Sequence, residues 1–372
     1  MKIAVNTRLL VKNKMDGIGW YAYEILKCMV RQHPDEEFIF FFDRPPHPDF
    51  IFADNVRYVV VHPQARHPIL WYLFFEIGIR FALKREKPNV FFSPDGWLCL
   101  HTKTKTINVI HDLNFEHLPQ FTSYINKLYL RYFFPRFAKR ADILATVSHF
   151  SKEDIVKTYK IPEQKMIVAG NAVSEDFFEI SNEQKHQTRL QYSNSDQYFI
   201  FVGSLHKRKN IDNILYAFDL FKENGCSFKL IFAGEKKYLS KDTEQIINQS
   251  EYKHDIIFTG YLATAEINRL VSAATGLLYV SYFEGFGVPI LEAFACGTPV
   301  ITSNITAMPE IAGDAALIVD PNNVDNIARA MADIATNTAL RQLLIDKGKQ
   351  RLKEFSWEKS ADILWKAIQS LS

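Results

Sequence analysis

The sequence predicts an α/β protein with two doubly wound domains of the Rossmann type, each a parallel sheet with helices on both faces. The chain has 372 residues, which corresponds to two or three domains at about 150 residues each. Short β-rich runs alternate with longer helical patterns along almost all of it, and such alternation is typical of parallel sheets. A polar stretch, Ile180–Gln197, lacks large apolar clusters and divides the pattern into two similar halves.

Strand candidates in the first half are short runs rich in β-branched or aromatic residues: Lys2–Asn6, Glu37–Phe42, Val56–Val61, Val90–Phe92, Thr106–Ile110, Ile143–Thr146 and Met166–Ala169. Between them, apolar residues at helical spacing predict helices at Gly19–Arg31, Ile69–Glu86, Ser123–Arg140 and Ser151–Tyr159. Right-handed crossovers between the strands would place these helices on both faces of one sheet.

The second half repeats this rhythm with six strand candidates: Tyr198–Gly203, Phe228–Gly234, Ile256–Gly260, Leu277–Val280, Pro299–Thr302 and Ala316–Val319. We therefore predict a first domain at residues 1–180, a linker at 181–197 and a second domain at 198–357. Ligands of open α/β sheets bind beyond the carboxyl ends of the strands. The two domains are thus expected to face each other across a cleft that holds the active site.

Composition excludes several classes of protein. Apolar residues make up 47% and charged residues 23%, which is typical of a globular chain with a large core. The net charge is only +2, with no block of like charge, so nothing indicates a nucleic-acid partner. The four cysteines form no Cys-x-x-Cys pair, and the chain opens with a strand-like run rather than a secretory signal. With no stretch of 18 apolar residues, these features favour a cytoplasmic protein.

The most informative segment of the second half is Ser281–Asn304, SYFEGFGVPILEAFACGTPVITSN. A glycine-bearing loop follows a buried strand there, and Pro289 suits the first turn of the next helix. Backbone N–H groups and a helix N-terminus at the carboxyl edge of a sheet attract phosphate, and the residues concerned are Gly285, Phe286, Gly287 and Val288. Two carboxylates, Glu284 and Glu292, flank this loop and are suited to accept hydrogen bonds from sugar hydroxyls.

The string EGFGVPILEAFACGTPVI resembles glycosyltransferase family 4, whose retaining, nucleotide-sugar-dependent enzymes have the GT-B fold. In that family two glutamates are separated by seven residues, as Glu284 and Glu292 are here. The resemblance implies that Glu284 contacts the donor sugar and Glu292 the nucleotide ribose. It covers nearly the full chain and is tightest from Val202 to Pro321. It also implies that a last helix, at about 358–372, crosses back to the first domain.

A second segment, FVGSLHKRKNIDNILYAF, places two cations at the carboxyl edge of the sheet. Arg208 and Lys209 follow a strand that ends at Gly203, which we expect to contribute to donor binding, and a helix is expected to begin near Asn210. Such cations can neutralise a diphosphate leaving group. The segment resembles the phosphate-binding loop of the same family, although many members have an arginine where this chain has Ser204. That departure leaves Arg208 and Lys209 as the phosphate-binding pair.

In the first half, INVIHDLNFEHLP ends a strand with His111, and the family carries a histidine here that contacts the donor sugar. Gly17 and Gly19 resemble the glycine-rich loop before the first helix. The same glycines also fit the dinucleotide pattern Gly-x-Gly-x-x-Ala, with Asp43 as the acid for a ribose. A dehydrogenase is therefore a rival interpretation, weakened by the ten residues that separate Asn6 from Gly17.

Two aromatic helical segments of the first half mix bulky apolar with basic residues: Trp71–Arg85 and Tyr124–Arg140. Such helices pack in a core or lie on an anionic membrane surface. Acceptors in the family are often lipid-linked, so the resemblance is compatible with peripheral contact at the inner face of a membrane.

Together with these patterns, the family resemblance implies a retaining hexosyltransferase for surface polysaccharide. Its donor would be a nucleoside diphosphate sugar, with GDP-mannose favoured over UDP-sugars because the segments around Arg208 and His111 resemble mannosyltransferases. The acceptor would be a saccharide or a lipid-linked saccharide. We expect no cofactor and no metal, because the chain contains no Asp-x-Asp motif. A GT-B nucleotide-sugar epimerase is the second alternative.

Overall fold

The computed structural model describes residues 1–223 and 225–371, and the chain divides into two compact units. The first unit comprises Met1–Ala172 and Ser356–Ser372, and the second comprises Val173–Phe355. Each unit has one sheet, and every paired strand in either sheet is parallel. The predicted α/β class with two parallel-sheet domains is confirmed.

The first unit has a seven-stranded sheet with the order β3-β2-β1-β4-β5-β6-β7. Its strands are β1 Lys2–Asn6, β2 Glu37–Phe42, β3 Val56–Val60, β4 Val90–Ser93, β5 Lys105–Val109, β6 Ile143–Thr146 and β7 Met166–Val168. Its first six helices are α1 Gly17–Gln32, α2 Pro68–Leu73, α3 Arg80–Glu86, α4 Asn114–His117, α5 Tyr124–Arg140 and α6 His149–Tyr159. A π-helical segment, Phe74–Ile79, joins α2 to α3.

The second unit has a six-stranded sheet with the order β10-β9-β8-β11-β12-β13. Its strands are β8 Tyr198–Val202, β9 Lys229–Ala233, β10 Ile256–Gly260, β11 Gly276–Tyr279, β12 Val300–Ser303 and β13 Ala316–Val319. Its helices are α7 Asn182–Ser193, α8 Ile211–Lys222, α9 Lys241–Gln249, α10 Thr264–Ala273, α11 Val288–Ala295, α12 Met308–Ala312, α13 Val324–Thr336 and α14 Thr338–Leu352.

The inner strands of both sheets are buried on both faces, which explains why they are almost continuously apolar, whereas the edge strands β3, β10 and β13 are partly exposed. In β2, the five residues from Phe38 to Phe42 are all at most 1% exposed, and in β8 every residue is buried. Parallel strands covered by helices on either side have this pattern, whereas a sheet with one wet face would alternate. Each of the thirteen strands in the described residues begins and ends within one residue of its predicted position.

The linker prediction is wrong, because residues 181–197 contain helix α7 and belong to the second unit. Ser181 caps this helix in a capping box with Gln184, and the Arg189 Nε donates to the Ala273 carbonyl at 2.9 Å. The preceding residues also belong to the second unit, since the Phe178 N–H donates to Asn268 Oδ1 at 3.0 Å. The first domain therefore ends at Ala172 rather than at residue 180. The stretch is polar because α7 exposes most of its side chains.

The last helix, α15, spans Trp357–Gln369 and belongs to the first unit, in agreement with the crossing helix that the family resemblance implies. It packs on α1 through aromatic side chains. The Trp365 ring stacks on His33 with centroids 3.7 Å apart, and Trp357 meets the Tyr21 ring edge-on at 5.9 Å. Within the described part of the chain, no helix is both long and apolar enough to cross a bilayer.

Each sheet has one point where the strand order reverses, and these points locate the ligand crevices. In the first unit the chain proceeds outward from β1 in one direction and from β4 in the other. In the second unit the same reversal lies between β8 and β11. In open α/β sheets ligands bind at the carboxyl edge beside such a reversal. The loops after β1, β4, β8 and β11 are therefore the segments to inspect for functional side chains.

Candidate active site

In the second unit, the loops after β8 and β11 meet through a buried ion pair. The Lys209 Nζ lies 2.6 Å from Glu284 Oε1, and the Arg208 Nη1 lies 3.0 Å from the same oxygen. Lys209 is 8% exposed and Glu284 is 7% exposed. The structure thus brings together three of the four predicted catalytic residues at one sheet edge.

The backbone around Lys209 is fixed by a short turn that the sequence did not predict. Lys207–Lys209 form a 3₁₀ turn, and Asn210 adopts a left-handed conformation with φ 61° before α8 begins at Ile211. The buried Asn210 amide donates to the carbonyls of Val280, at 3.0 Å, and Pro321, at 2.7 Å. These hydrogen bonds tie the cationic turn to the ends of β11 and β13.

Gly203, a predicted binding residue, follows β8 and has a positive φ of 132°. Its backbone lies very close to that of Gly234. A Cβ atom on the neighbouring Gly234 would lie only 1.9 Å from the Gly203 carbonyl oxygen. Only glycine at position 234 permits this approach without a shift of backbone. Gly203 therefore holds the start of the cationic loop in place at the sheet edge.

The electrostatics of Glu284 are dominated by its cations. Burial raises the pKa of this carboxyl, but the charges of Arg208 and Lys209 outweigh burial and lower the pKa to about 2. Lys209 also donates to the Tyr279 hydroxyl at 2.9 Å. Burial, with the Glu284 charge as the next cause, raises the pKa of Tyr279 well above its usual value. Glu284 is thus ionised, and Tyr279 is a neutral hydroxyl, at any physiological pH.

The glycine loop after β11 has the predicted geometry for an anion. Gly287 is left-handed with φ 103° and caps α11, whose first residues include Pro289. Within the described residues, the backbone N–H groups of Phe286, Gly287 and Val288 donate to no protein acceptor. Gly285 is buried in the same loop. N–H groups at the start of a helix form a site for phosphate or another anion.

Glu292 lies in the second turn of α11 and differs sharply from Glu284. It is half-buried, and within the described residues its carboxylate has no hydrogen bond or ion pair. Burial alone raises its pKa to about 7. An unpaired carboxylate with a raised pKa beside an anion site is a candidate for ligand binding.

The remaining predicted residues lie in the first unit. His111 follows β5, and its Nε2 lies 2.9 Å from the Pro94 carbonyl oxygen. Because a carbonyl only accepts, the proton of a neutral ring is on Nε2 and Nδ1 is an acceptor. Burial lowers the pKa of His111, which keeps the ring neutral near pH 7. Its ring also meets Tyr21 edge-on at 4.7 Å.

Gly17 and Gly19 lie in the first turn of α1, where Asp16 caps the helix by accepting from the Gly19 N–H at 3.0 Å. Ten residues separate β1 from α1, so the dinucleotide fingerprint is not formed. The rival acid, Asp43, is 2% exposed and accepts from Arg44 and from the Ala65 N–H. The dehydrogenase interpretation is therefore not favoured.

The sequence analysis missed polar residues that the structure places at the same edges. Tyr279 and Asn210 support Lys209, and in the first unit Arg8 and Asp95 form a buried ion pair with 2.8 Å between Nε and Oδ2. Arg8 and Asp95 each come two residues after a strand, so a search for charged residues just after predicted strands would have identified them. Among the described residues, no group of three His, Cys, Asp or Glu side chains could hold a metal ion.

Comparisons with known proteins give two matching family models and several related chains. The family model "Glycosyl transferases group 1" matches residues 181–351, and "Glycosyltransferase Family 4" matches residues 15–177. The O-antigen chain mannosyltransferase B of Escherichia coli is 27% identical over 366 residues, 94% of each chain. The O-antigen chain mannosyltransferase RfbU of Salmonella typhimurium is 28% identical over 72% of this chain and 71% of its own.

Solved structures share the fold across the whole chain. Sucrose-phosphate synthase from Thermosynechococcus elongatus superposes with a TM-score of 0.81 at 17% identity, covering 100% of this chain and 98% of its own. WaaG, a glycosyltransferase involved in lipopolysaccharide biosynthesis, gives 0.76 at 15% identity, covering 100% and 99%. The fold is GT-B, and the two family models together match both units. The chain belongs to glycosyltransferase family 4.

Proposed function

We propose that this glycosyltransferase moves a hexose, with retention, from a nucleoside diphosphate sugar to a hydroxyl of a saccharide or lipid-linked saccharide. The observation that carries the proposal is the buried cluster of Arg208, Lys209 and Glu284 beside the glycine loop. Two cations and one carboxylate leave a net positive charge where free N–H groups also converge. Such a site suits a diphosphate attached to a hydroxyl-rich group.

In the proposed reaction, the bond between the sugar C1 and the diphosphate oxygen breaks, and its electron pair leaves with the diphosphate. The acceptor hydroxyl forms the new bond to C1, and its proton passes to the departing phosphate. Arg208 and Lys209 stabilise the negative charge that develops on the leaving group. Glu284 accepts hydrogen bonds from the sugar, Glu292 from the ribose, and the His111 Nδ1 from a sugar hydroxyl.

GDP-mannose is the donor that we propose, because the two bacterial relatives above are named mannosyltransferases of O-antigen chains. A thermal-shift panel of nucleotide sugars followed by product analysis tests this choice. We expect GDP-mannose to stabilise the protein more than UDP-glucose and to yield a mannosylated glycoside. If the enzyme instead changes the sugar of the donor when no acceptor is present, it is an epimerase and the proposal fails.

Removal of the Lys209 ammonium should slow transfer strongly. We expect Lys209→Ala to lower kcat by about 10²–10³-fold, as for the loss of one donor to a transition-state charge. The control is Lys222→Ala, which removes a buried lysine paired with Asp255 at the other end of α8. This control variant should lower the melting temperature only.

Wild-type activity should survive EDTA, because side chains rather than a metal would neutralise the diphosphate. Loss of activity in EDTA that Mg²⁺ restores would contradict the proposal.

Nucleotide binding should strengthen as pH rises through about 7. The pKa of Glu292 is about 7 in the free protein, so the carboxyl is largely protonated at pH 6 and ionised at pH 8. Ribose hydroxyls donate to the ionised form, and binding then releases a proton. Calorimetry with GDP-mannose and no acceptor measures this at both pH values, because its diphosphate is esterified at both ends and does not titrate here, whereas the terminal phosphate of GDP does. Glu292→Gln should weaken binding at pH 8 by about 1.5–3 kcal/mol and abolish the dependence. Glu266→Gln, on α10, is the control and should bind like the wild type. If Glu292→Gln keeps the wild-type pH profile, Glu292 does not bind the ribose.

Loss of the His111 imidazole should affect transfer and not nucleotide binding. The groups that hold the nucleotide lie in the second unit, so His111→Ala should bind GDP normally. Its transfer rate should drop by about 10²-fold, because an interaction that strengthens in the transition state is lost. His33→Ala removes a histidine that stacks on Trp365 and should change stability alone. A stable His111→Ala variant with the wild-type rate would exclude His111 from the site.

We also propose that two helical segments of the first unit contact an anionic membrane, where a lipid-linked acceptor would lie. The segment from α2 to α3 and helix α5 pack together, since Trp71 meets Tyr129 at 5.2 Å. They expose large apolar side chains, namely Ile69, Tyr72, Ile77, Phe81, Tyr124, Ile125, Leu128 and Tyr132. Exposed cations lie among them, including Arg80, Lys84 and Lys139, whereas Glu76 is buried and Glu86 is ion-paired. Apolar side chains framed by cations are complementary to anionic lipid.

Vesicle flotation tests this surface. We expect wild type to float with vesicles that contain phosphatidylglycerol and not with pure phosphatidylcholine, and less so at high salt. The double variant Ile125→Ser/Leu128→Ser should lose most of this binding. Leu190→Ser, at an equally exposed leucine on α7 of the second unit, should float like wild type. Flotation that is equal for all three proteins would contradict the proposal.

A further inference from the structure

The carboxyl edge of the first sheet carries a buried arginine that none of the proposed steps uses. Arg8 follows β1 and Asp95 follows β4, the two strands between which the strand order reverses. This is the crevice where open α/β sheets bind ligands. Arg8 is only 7% exposed, so its charge is held in a region from which most water is excluded.

Asp95 forms an ion pair with Arg8 and is itself almost completely buried. Its Oδ2 lies 2.8 Å from the Arg8 Nε, and its Oδ1 accepts from the Asn6 amide at 2.8 Å and from the Trp97 N–H at 3.2 Å. The Asp95 side chain is 2% exposed. We therefore regard Asp95 as a positioning residue.

The guanidinium of Arg8 is also fixed by aromatic rings. Its Cζ lies 4.4 Å from the Trp97 ring centroid and 5.7 Å from that of Phe75. Stacking on aromatic faces orients the planar group while leaving its edge open for hydrogen bonds. An arginine that is held by an ion pair and two rings has lost most of its side-chain freedom before any ligand arrives, so binding costs little ordering entropy.

The outer edge of Arg8 has no protein partner. Within the described residues, neither Nη group donates to a carbonyl or a side chain. Neither Nη atom is fully buried, unlike Nε, so both remain accessible to a ligand that enters the crevice. Two parallel donors on a fixed guanidinium match a pair of neighbouring oxygens, such as those of a saccharide.

The same loop connects Arg8 to His111. Pro94, whose carbonyl oxygen accepts from the His111 Nε2, lies between Ser93 and Asp95 in the chain. The Ser93 hydroxyl donates to the Trp97 carbonyl at 2.5 Å. One rigid loop thus positions both the histidine proposed to contact the donor sugar and the arginine with free donors. An acceptor hydroxyl must come close to the donor sugar for transfer to occur.

We propose that Arg8 binds oxygen atoms of the acceptor saccharide and that Asp95 and Trp97 position its guanidinium. This proposal rests on the proposed transferase function. It makes Arg8 a binding residue for the acceptor and not for the nucleotide, whose groups lie in the second unit.

Steady-state kinetics with GDP-mannose and octyl α-mannopyranoside, using the full chain, tests the assignment. Arg8→Lys keeps a cation beside Asp95 but removes the two Nη donors. We expect it to raise the acceptor KM by about tenfold or more, as for lost hydrogen bonds from a charged group. The Kd for GDP and the rate of donor hydrolysis without acceptor should stay at the wild-type values. The control, Arg57→Lys, alters an arginine on β3 that is ion-paired with Glu37 and Glu86.

If Arg8→Lys does not fold, Arg8→Gln/Asp95→Asn removes both charges together and should show the same rise in acceptor KM. An unchanged acceptor KM in a folded variant would overturn the proposal. Weakened GDP binding or slower donor hydrolysis would also overturn it, because Arg8 would then act on the donor. Failure of the wild type to transfer from any nucleotide sugar to any mannoside would instead overturn the proposed function on which it rests.

Discussion

The buried ion pair between Lys209 and Glu284 is the interaction on which the second unit's site depends. It joins the loops that follow β8 and β11 where the strand order reverses. A charge buried at this depth without a partner costs several kcal/mol, so Lys209 requires Glu284, which is paired with Arg208 as well. The supporting contacts follow from this constraint. The Asn210 amide fixes the cationic turn to the neighbouring strand ends, and the Tyr279 hydroxyl accepts a second hydrogen bond from Lys209.

Two carboxylates eight residues apart acquire different properties from the same fold. Glu284 lies against two cations and has a pKa of about 2, whereas Glu292 has no ion pair among the described residues and has a pKa of about 7. A carboxylate with so low a pKa is a weak base and a weak nucleophile, because its charge is already compensated. Glu284 is therefore better suited to accept hydrogen bonds from a sugar than to form a covalent bond with it. The Glu292 charge is uncompensated, so hydroxyl donors of a ligand would stabilise it most.

Much of the fold could be predicted from the sequence, because strands buried on both faces are continuously apolar and stand out between amphipathic helices. The edge residues could be predicted for a related reason: the parallel strands end together, so His111, Lys209 and Glu284 had to lie at carboxyl edges. Helix α7 was missed because its polar surface resembles a linker, although the Ser181–Gln184 capping box was a usable signal. Arg8 and Asp95 could not be paired from the sequence, since 87 positions separate them and no motif connects them.

The two units solve the same topological problem in the same way. Where the strand order reverses, neighbouring loops diverge and leave a crevice that helices do not cover. In both units a cation from the loop after the first strand crosses this crevice to a carboxylate from the loop after the neighbouring strand. The pairs are Arg8 with Asp95 and Lys209 with Glu284.

The two pairs differ in which hydrogen-bond donors remain available to a ligand. Lys209 donates hydrogen bonds to Glu284 and Tyr279. The donors available to an anion are the backbone N–H groups of the adjacent glycine loop. Arg8 directs only its Nε towards Asp95. The free donors of this pair are therefore the Nη groups of Arg8 itself rather than backbone N–H groups of a neighbouring loop. The Arg8 guanidinium keeps two free Nη groups, but its charge is balanced by Asp95. Such a group favours the neutral oxygen atoms of a ligand over a diphosphate. That difference in charge balance is our reason for proposing that the nucleotide binds in the second unit and a saccharide in the first.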